Sequence, residues 1–366
     1  MADDRNETIK MVTKYEQIEH LIRSKIASGQ IKSGERISSE YELAAELGVH
    51  RFTVNKAISN LVRAGMLYRI QGKGTFVAMP KEGVASNNIG VVYGGPADSL
   101  FKTWFGGAVT QGIYQASKRS VIFFGSPQSS ARRGPEVSDE ELAKVDGVLA
   151  FEIFNDEYIE KLAARKALVI VDYISDRLKN PAVVFDNVAA TKKSTKRLIE
   201  LGHVRIACVG EDPKRGREHT DPAWQDRIKG WKEAMEGAGY STDGLFAPLP
   251  GRGDPGTTAA EEILSWKKPP TAVVITSDTT AARMMKMFQE RGIEVPQQMS
   301  IVGFGDEEVC QLVTPALTSS GLDMNEMGVK AVRLLERLID GEKLDGVVEM
   351  VETYYVERES IGPPPK

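Results

Sequence analysis

Seven short apolar runs recur through the last three quarters of this chain and limit its folds more than any other feature. They are IGVVY at 89–93, SVIFF at 120–124, GVLAF at 147–151, ALVIV at 167–171, RIACV at 205–209, AVVIT at 272–276 and SIVGF at 300–304. Each is apolar almost throughout rather than at every second position. A strand of that kind is buried on both faces, as in a parallel sheet covered by helices. Stretches with helical spacing separate most of the runs, for example VAATKKSTKRLIELG at 188–202. The alternation predicts an α/β architecture of doubly wound parallel sheets. About 280 residues is large for one such sheet, so two lobes are expected.

In open α/β sheets, ligands bind beyond the carboxyl ends of the strands. Glu152 follows the third run and Asp172 the fourth. Asp186 and Asn187 follow a further short strand, Ser277 and Asp278 end the sixth run, and Asp306 lies just past the seventh. Carboxylates and amides so placed suit a ligand rich in hydroxyls, because one carboxylate accepts two hydrogen bonds and charge-assisted bonds are the stronger ones. The same residue types also cap the helices that follow.

The first 80 residues read differently. Tyr15, Ile18, Leu21, Ile22 and Ile26 recur at helical spacing, and Gly29 stops that helix. Ser39 and Glu42 form a Ser-x-x-Glu capping box that opens a short helix ending at Gly48. A third helix follows at once, with Val54, Ala57, Ile58, Leu61 and Val62 in one stripe and Arg51, Phe52, Asn55, Lys56, Ser59 and Arg63 on the other faces. Two short helices joined by a tight turn, the second polar and basic on its free side, describe a helix-turn-helix. A strand at 67–70, a Gln71-Gly72-Lys73-Gly74 turn and a strand at 75–77 then make a glycine-rich hairpin. Its glycines allow close backbone approach to a phosphate, and Lys73 adds charge. Residues 1–80 hold twelve Lys/Arg against nine Asp/Glu, whereas the remainder holds 35 against 42. That asymmetry points the basic end at nucleic acid.

Residues 1–12 read as a flexible polar tail and 79–87, MPKEGVASN, as a linker. No run approaches the ~18 apolar residues of a membrane helix, and the polar start lacks a secretory signal, so a cytoplasmic protein is expected. Cys208 and Cys310 read as buried free thiols. The histidines, His20, His50, His203 and His219, are scattered without metal-ligand spacing. Gly251-Arg252-Gly253-Asp254-Pro255-Gly256 matches a dinucleotide fingerprint only formally, since it neither follows a clear strand nor opens a helix at once. The motifs of hydrolases, kinases and calcium loops do not occur. No cofactor or metal is expected.

Residues 29–77 resemble the winged helix of the GntR family almost end to end, including Ser39-Glu40 before the second helix and Gly72-x-Gly74-Thr75-Phe76-Val77 in the wing. The resemblance implies DNA contacts from Ser39, Glu40 and Tyr41 at the second helix, with Ser39 and Glu40 at the backbone. It implies further contacts from His50, Arg51, Thr53 and Asn55 at the start of the recognition helix, and from Gln71, Gly72 and Lys73 at the wing tip. The chain departs from the family at Ser38, His50, Asn55 and Tyr41, where Pro, Ser, Arg and Arg are common. Asn favours adenine and Arg guanine, so an altered operator is expected.

FDNVAATKKSTKRLIELGHVRIACVG, DRIKGWKEAMEGAGY and TAVVITSDTTAARMMKMFQERGIEVPQQMSIVGFGDEE, followed by TPALTSSGLDMNEMGVKAVRLL, resemble the LacI/GalR regulator core, itself similar to periplasmic sugar-binding proteins. That likeness implies an effector cleft faced by Asp172, Arg227 and Ser277, with Glu152, Asp278 and Asp306 as further candidates. Gly305 stands where the family offers an aspartate. The family's ring-stacking aromatic falls near Pro255, which leaves Tyr93, Phe101, Trp104 and Trp224 as candidates for that task.

The expected organisation is a winged helix-turn-helix at 13–78 and a two-lobed, type I periplasmic-binding-protein-like domain at 88–366. Lobe 1 is expected at about 88–186 and 319–345, and lobe 2 at about 187–318 and 346–360. A GntR-type head on such a core resembles the arabinose-repressor class. The resemblance implies a homodimeric, operator-binding repressor of carbohydrate-utilisation genes, controlled by a monosaccharide, with a purine or other small molecule as the alternative effector. An enzyme fused to a DNA-binding head is the remaining alternative, but the pyridoxal-lysine signature of such fusions does not occur.

Overall fold

The computed structural model describes residues 14–27, 30–32, 34–63, 66–70, 72–78, 86–96, 98–212, 221–250 and 253–366. The expected tail, most of the linker, Gly29 and Gln71 lie outside them. The chain divides into two compact units between Ser86 and Asn87.

The first unit holds α1 (Lys14–Ala27), α2 (Glu40–Leu47), α3 (Arg51–Arg63) and the hairpin β1 (Leu67–Ile70) and β2 (Gly74–Val77). The capping box forms as expected: Ser39 Oγ accepts from the Glu42 amide at 3.2 Å, and Glu42 accepts from the Ser39 amide at 2.7 Å. Gly48 ends α2 with φ of +61°, a conformation that costs glycine little. Ile18 and Ile22 of α1, Leu43 of α2, Val54, Ala57, Ile58 and Leu61 of α3, and Leu67 and Val77 of the hairpin bury one core. The apolar stripe of α3 thus faces inward and leaves its polar side in solvent.

The second unit contains two six-stranded sheets. The first has the order β13-β7-β6-β5-β3-β4, with β3 (Asn88–Tyr93), β4 (Ser120–Phe124), β5 (Gly147–Phe151), β6 (Ala167–Val171), β7 (Ala182–Phe185) and β13 (Val348–Val351), all parallel. The second has the order β14-β12-β11-β10-β8-β9, with β8 (Ile206–Gly210), β9 (Phe246–Pro248), β10 (Ala272–Ile275), β11 (Ser300–Gly305), β12 (Thr318–Leu322) and β14 (Thr353–Val356). Only β14 runs antiparallel to its neighbour there.

Period-two burial explains the apolar runs. Ile89, Val91, Leu149, Phe151, Val169 and Val171 share one core with α4 (Trp104–Ala116) and α12 (Met324–Ile339), while Val92, Val148, Ala150, Leu168 and Ile170 enter another on the opposite face. The second sheet repeats this pattern. Val209, Val273, Ile275 and Ile301 pack with α9 (Pro255–Ser265) and α10 (Asp278–Glu290), and Cys208, Val274 and Val302 pack with α7 (Asn187–Glu200) and α8 (Pro222–Gly237). Both cysteines are buried and free.

The chain passes between the two sheets near residues 186, 323 and 352. The last two points correct the expected crossings near 318 and 345. Thr318–Gly321 pair with Val302–Gly305 in the second sheet, so the chain leaves that lobe only at Asp323. Val348–Val351 pair with Ala182–Phe185, so it stays in the first lobe through Val351.

Candidate DNA-binding face and ligand cleft

On the first unit, the polar residues of α2, α3 and β1 meet around one carboxylate. Glu40 Oε1 accepts from Asn55 Nδ2 at 2.6 Å and from Arg69 Nη2 at 3.1 Å, while Oε2 accepts from Arg51 Nε at 3.2 Å. Arg51 also donates to the Tyr41 hydroxyl at 2.7 Å, and its guanidinium lies 4.2 Å from the Tyr41 ring centre. Tyr41 and Phe52 are widely exposed. His50 takes the helix-cap position before α3. Its Nδ1 accepts from the Phe52 amide at 3.2 Å, which gives the imidazole the capping task of the more usual serine. Thr53 is half-buried in the first turn of α3. At the wing, Gly72 and Gly74 have φ of +76° and +120°, and exposed Lys73 donates its amide to the Ile70 carbonyl. The hairpin therefore depends on two glycine-type conformations to present Lys73. The structure brings Glu40, Tyr41, Arg51 and Asn55 together. It adds Arg69, whose place within an ordinary strand carries no local signal in the sequence.

On the second unit, acidic residues directly follow strand ends in both sheets. Glu152 directly follows β5, Asp172 follows β6 and Asp306 follows β11, and all three have positive φ, at +51°, +65° and +58°. Such backbone is rare outside glycine and gathers at functional sites. Asp221 caps α8 through the Ala223 amide at 2.9 Å, and Arg227 lies on the same helix. The Arg227 fork is held from several sides. Nε donates to Asn187 Oδ1 and Nη1 to the Thr276 carbonyl, each at 2.9 Å, and the guanidinium stacks 4.1 Å from the Phe304 ring centre.

Acidic groups crowd this cation. Burial raises the Asp172 carboxyl well above the usual range; Asp221 and Glu152 raise it further, and Arg227 opposes them. Burial, then Asp221, pushes Glu152 to about 7, while a hydrogen bond from Tyr93 acts the other way. Burial lifts Asp221 to about 6 against the pull of Arg227. Burial also lowers the Arg227 guanidinium, opposed by Asp221, Asp172 and Asp278. The first lobe thus supplies Glu152 and Asp172, and the second supplies Asp221 and Arg227.

Three expected ligand contacts need correction. Asp278 is fully buried: Oδ1 accepts from Ser319 Oγ at 2.7 Å and Oδ2 from the Glu307 amide at 2.9 Å. It lies against the backbone of β11, where a β-carbon on Gly303 would stand 2.0 Å from Oδ1. Asp278 therefore braces α10 against β11. Asp306 accepts from Arg358 at 2.7 Å in a largely buried ion pair, so it is tied to the residues after β14. The Tyr93 ring is buried against Phe151, with ring centres 5.6 Å apart, and only its hydroxyl reaches Glu152. It cannot offer a free face for stacking. Trp104 can: it opens α4, is 41% exposed and lies beside Gly305 of the other lobe. Trp224 is half-buried, 6.0 Å from the Arg227 guanidinium, and Phe101 packs edge-on against Phe123. Ser277 is half-buried and caps no helix with its hydroxyl. Asp221 has no apolar strand before it to mark it as a site residue, although Asp221-Pro222 is a readable helix start.

Residues 14–77 match the gntR family of bacterial regulatory proteins, and residues 195–361 match the periplasmic binding protein-like domain. The chain is a DNA-binding transcriptional regulator that joins a gntR-family winged helix to a periplasmic-binding-protein-like domain. Along nearly its whole length it is similar to an arabinose metabolism transcriptional repressor of Geobacillus stearothermophilus, 28% identical over 93% of this chain and 95% of that one. Among solved structures, a transcriptional regulator CelR–cellobiose complex has a TM-score of 0.64 at 22% identity, covering 88% of this chain and all of that one. A LacI family regulator from Enterococcus faecium with bound ribose has a TM-score of 0.62 at 19% identity, covering 75% and 99%. These two structures share the fold. No described helix is long and apolar enough to cross a membrane.

Proposed function

We propose that the chain is a cytoplasmic, homodimeric repressor of carbohydrate-utilisation genes whose operator affinity is set by a small sugar held between the two lobes. It is a binding protein without chemistry of its own. The observation that carries this reading is the meeting of Glu152 and Asp172 from one sheet with Asp221 and Arg227 from the other. Carboxylates and a planar guanidinium accept from and donate to adjacent hydroxyls, and Trp104 offers a face to the CH side of a sugar ring. The relative named an arabinose metabolism repressor favours a pentose.

No described residue accepts a hydrogen bond from Arg227 Nη2, the part of the fork left for the ligand. DNA contact falls to Arg51, His50, Thr53, Ser39 and Tyr41 on the helices and to Gln71, Gly72 and Lys73 on the wing, while Glu40 and Asn55 lie on the same face bonded to each other. A two-fold dimer presents two such heads to a pseudo-palindrome.

The test is a thermal-shift screen of the full chain against L-arabinose, D-xylose, D-ribose, D-glucose, cellobiose and hypoxanthine. A ligand that binds only the native state raises the melting temperature. A pentose should do so for the wild type and not for Asp172→Asn. A rise with hypoxanthine alone would replace the sugar by a purine.

A further inference from the structure

The Glu40 carboxylate is the hub of a closed ring of side chains. Asn55 Nδ2 donates to it; Asn55 Oδ1 accepts from Ser59 Oγ at 3.4 Å; Ser59 Oγ accepts from Arg69 Nη2 at 3.3 Å; and the same Arg69 nitrogen returns to Glu40 at 3.1 Å. The ring ties α2, α3 and β1 together. Both ends of the Asn55 amide are turned into it. A bidentate contact with adenine needs the donor and the acceptor of that amide together, so reading a base with Asn55 means breaking two internal bonds.

Arg51 is placed otherwise. Its Nε is held by Glu40, its Nη1 by the Tyr41 hydroxyl and its face by the Tyr41 ring, while 52% of the side chain remains exposed. A guanidinium tied at Nε and Nη1 and stacked on one face keeps Nη2 and the second Nη1 hydrogen, its end edge, to offer to the O6 and N7 of guanine. Glu40 itself is only 18% exposed, and three cationic or amide donors surround it, a poor arrangement for approach to a phosphate.

We propose that Glu40 is a specificity-setting positioning residue, which sequesters Asn55 and presents Arg51 so that this head reads guanine through Arg51 rather than adenine through Asn55. The proposal rests on the head being the DNA-binding part and says nothing of the effector. Glu40 acts through its neighbours and not on the DNA backbone.

The experiment uses full-length protein and a duplex selected from a random pool by the wild type. Binding is measured by fluorescence anisotropy on that duplex, on versions with each base pair changed, and on an unrelated duplex. The wild type should lose about tenfold or more when one particular guanine is changed. Glu40→Gln should cut the ratio of specific to unrelated binding by about tenfold, with unrelated binding equal or tighter because an anionic charge leaves the basic face. Arg51→Ala should abolish discrimination at that guanine, and adding Glu40→Gln to it should change the ratio less than about twofold, the non-additivity of one unit.

Tyr41→Phe keeps the ring and removes one hydroxyl. It should lower discrimination at the same guanine by a few fold, and it serves as the readout should Glu40→Gln lower the melting temperature. The proposal is overturned if Glu40→Gln keeps the ratio within twofold, or weakens every duplex equally. It is also overturned if Asn55→Ala removes discrimination at an adenine. Failure of the wild type to select any duplex would instead strike at the assignment of the head.

Discussion

Gly305 ends β11 directly against Trp104: a β-carbon placed on the glycine would stand 3.3 Å from the indole and 3.1 Å from Asp278 Oδ2. The glycine also has φ of +132°, which side-chain-bearing residues rarely adopt. An aromatic ring from the first lobe thus meets the end of a strand of the second.

Gly305→Ala is therefore expected to destabilise the second unit by about 1–3 kcal/mol through backbone strain and contact with Asp278 and Trp104. Gly305→Asp should do at least as much and push Trp104 away, which would change indole fluorescence. Urea denaturation of the two variants checks the first statement. Wild-type stability in both would show that the strand end is looser than described.

The acidic cleft makes stability depend on pH in a definite direction. Glu152 is raised from 4.5 to about 7 and Asp221 from 3.8 to about 6, both chiefly by burial. Between the ordinary and the raised values the folded state holds more protons than the unfolded one, so stability falls as pH rises from about 4 to 7. Glu152 alone accounts for a cost on the order of 3 kcal/mol at the upper end. Glu152→Gln should remove its part of this slope and leave the variant more stable than the wild type at pH 8. Denaturant midpoints at pH 5 and 8 decide the matter; parallel profiles for the two proteins would contradict it.

At the head, Arg51→Ala and Lys73→Ala should fail in different ways. Arg51 lies at the start of α3 and is tied to Glu40 and Tyr41, so its loss should remove sequence discrimination while effector binding stays intact. Lys73 stands exposed at the wing tip. Its loss should weaken binding to all duplexes alike and reduce the slope of log K against log salt by about 1. A salt slope unchanged in Lys73→Ala would remove the wing tip from the phosphate contacts.

Much of this was legible in the sequence because the responsible signals are local. Continuous apolar runs gave the strands of both sheets, and Ser39, Glu42 and Gly48 marked the ends of α2 where they occur. Glu152 and Asp172 could be placed at the ends of β5 and β6 because each directly follows a continuous apolar run. What was not legible depends on partners distant in sequence. Nothing near Asp278 announces Ser319, and nothing near Asp306 announces Arg358, so both carboxylates read as open to a ligand although each is spent inside the protein. Tyr93 was misread for the same reason, since its burial follows from Phe151 on the neighbouring strand. The last two lobe crossings shifted because pairing register, not composition, decides which sheet receives β12 and β13.

In the proposed function, a sugar gripped by Arg227 between the lobes controls the winged helix. A ligand shifts such an equilibrium only by its difference in affinity between two arrangements, so effector response and operator binding must separate at Arg227. The most direct measurement is the operator affinity of full-length wild type and Arg227→Ala, with and without each of L-arabinose, D-xylose, D-ribose, D-glucose and cellobiose. One sugar should change the wild-type Kd by about tenfold or more, a coupling of about 1.4 kcal/mol. Arg227→Ala should keep the sugar-free Kd and lose the response, because removing a cation from a desolvated pairing costs about 2–5 kcal/mol of sugar binding. An Arg227→Ala protein that responds like the wild type would contradict the account.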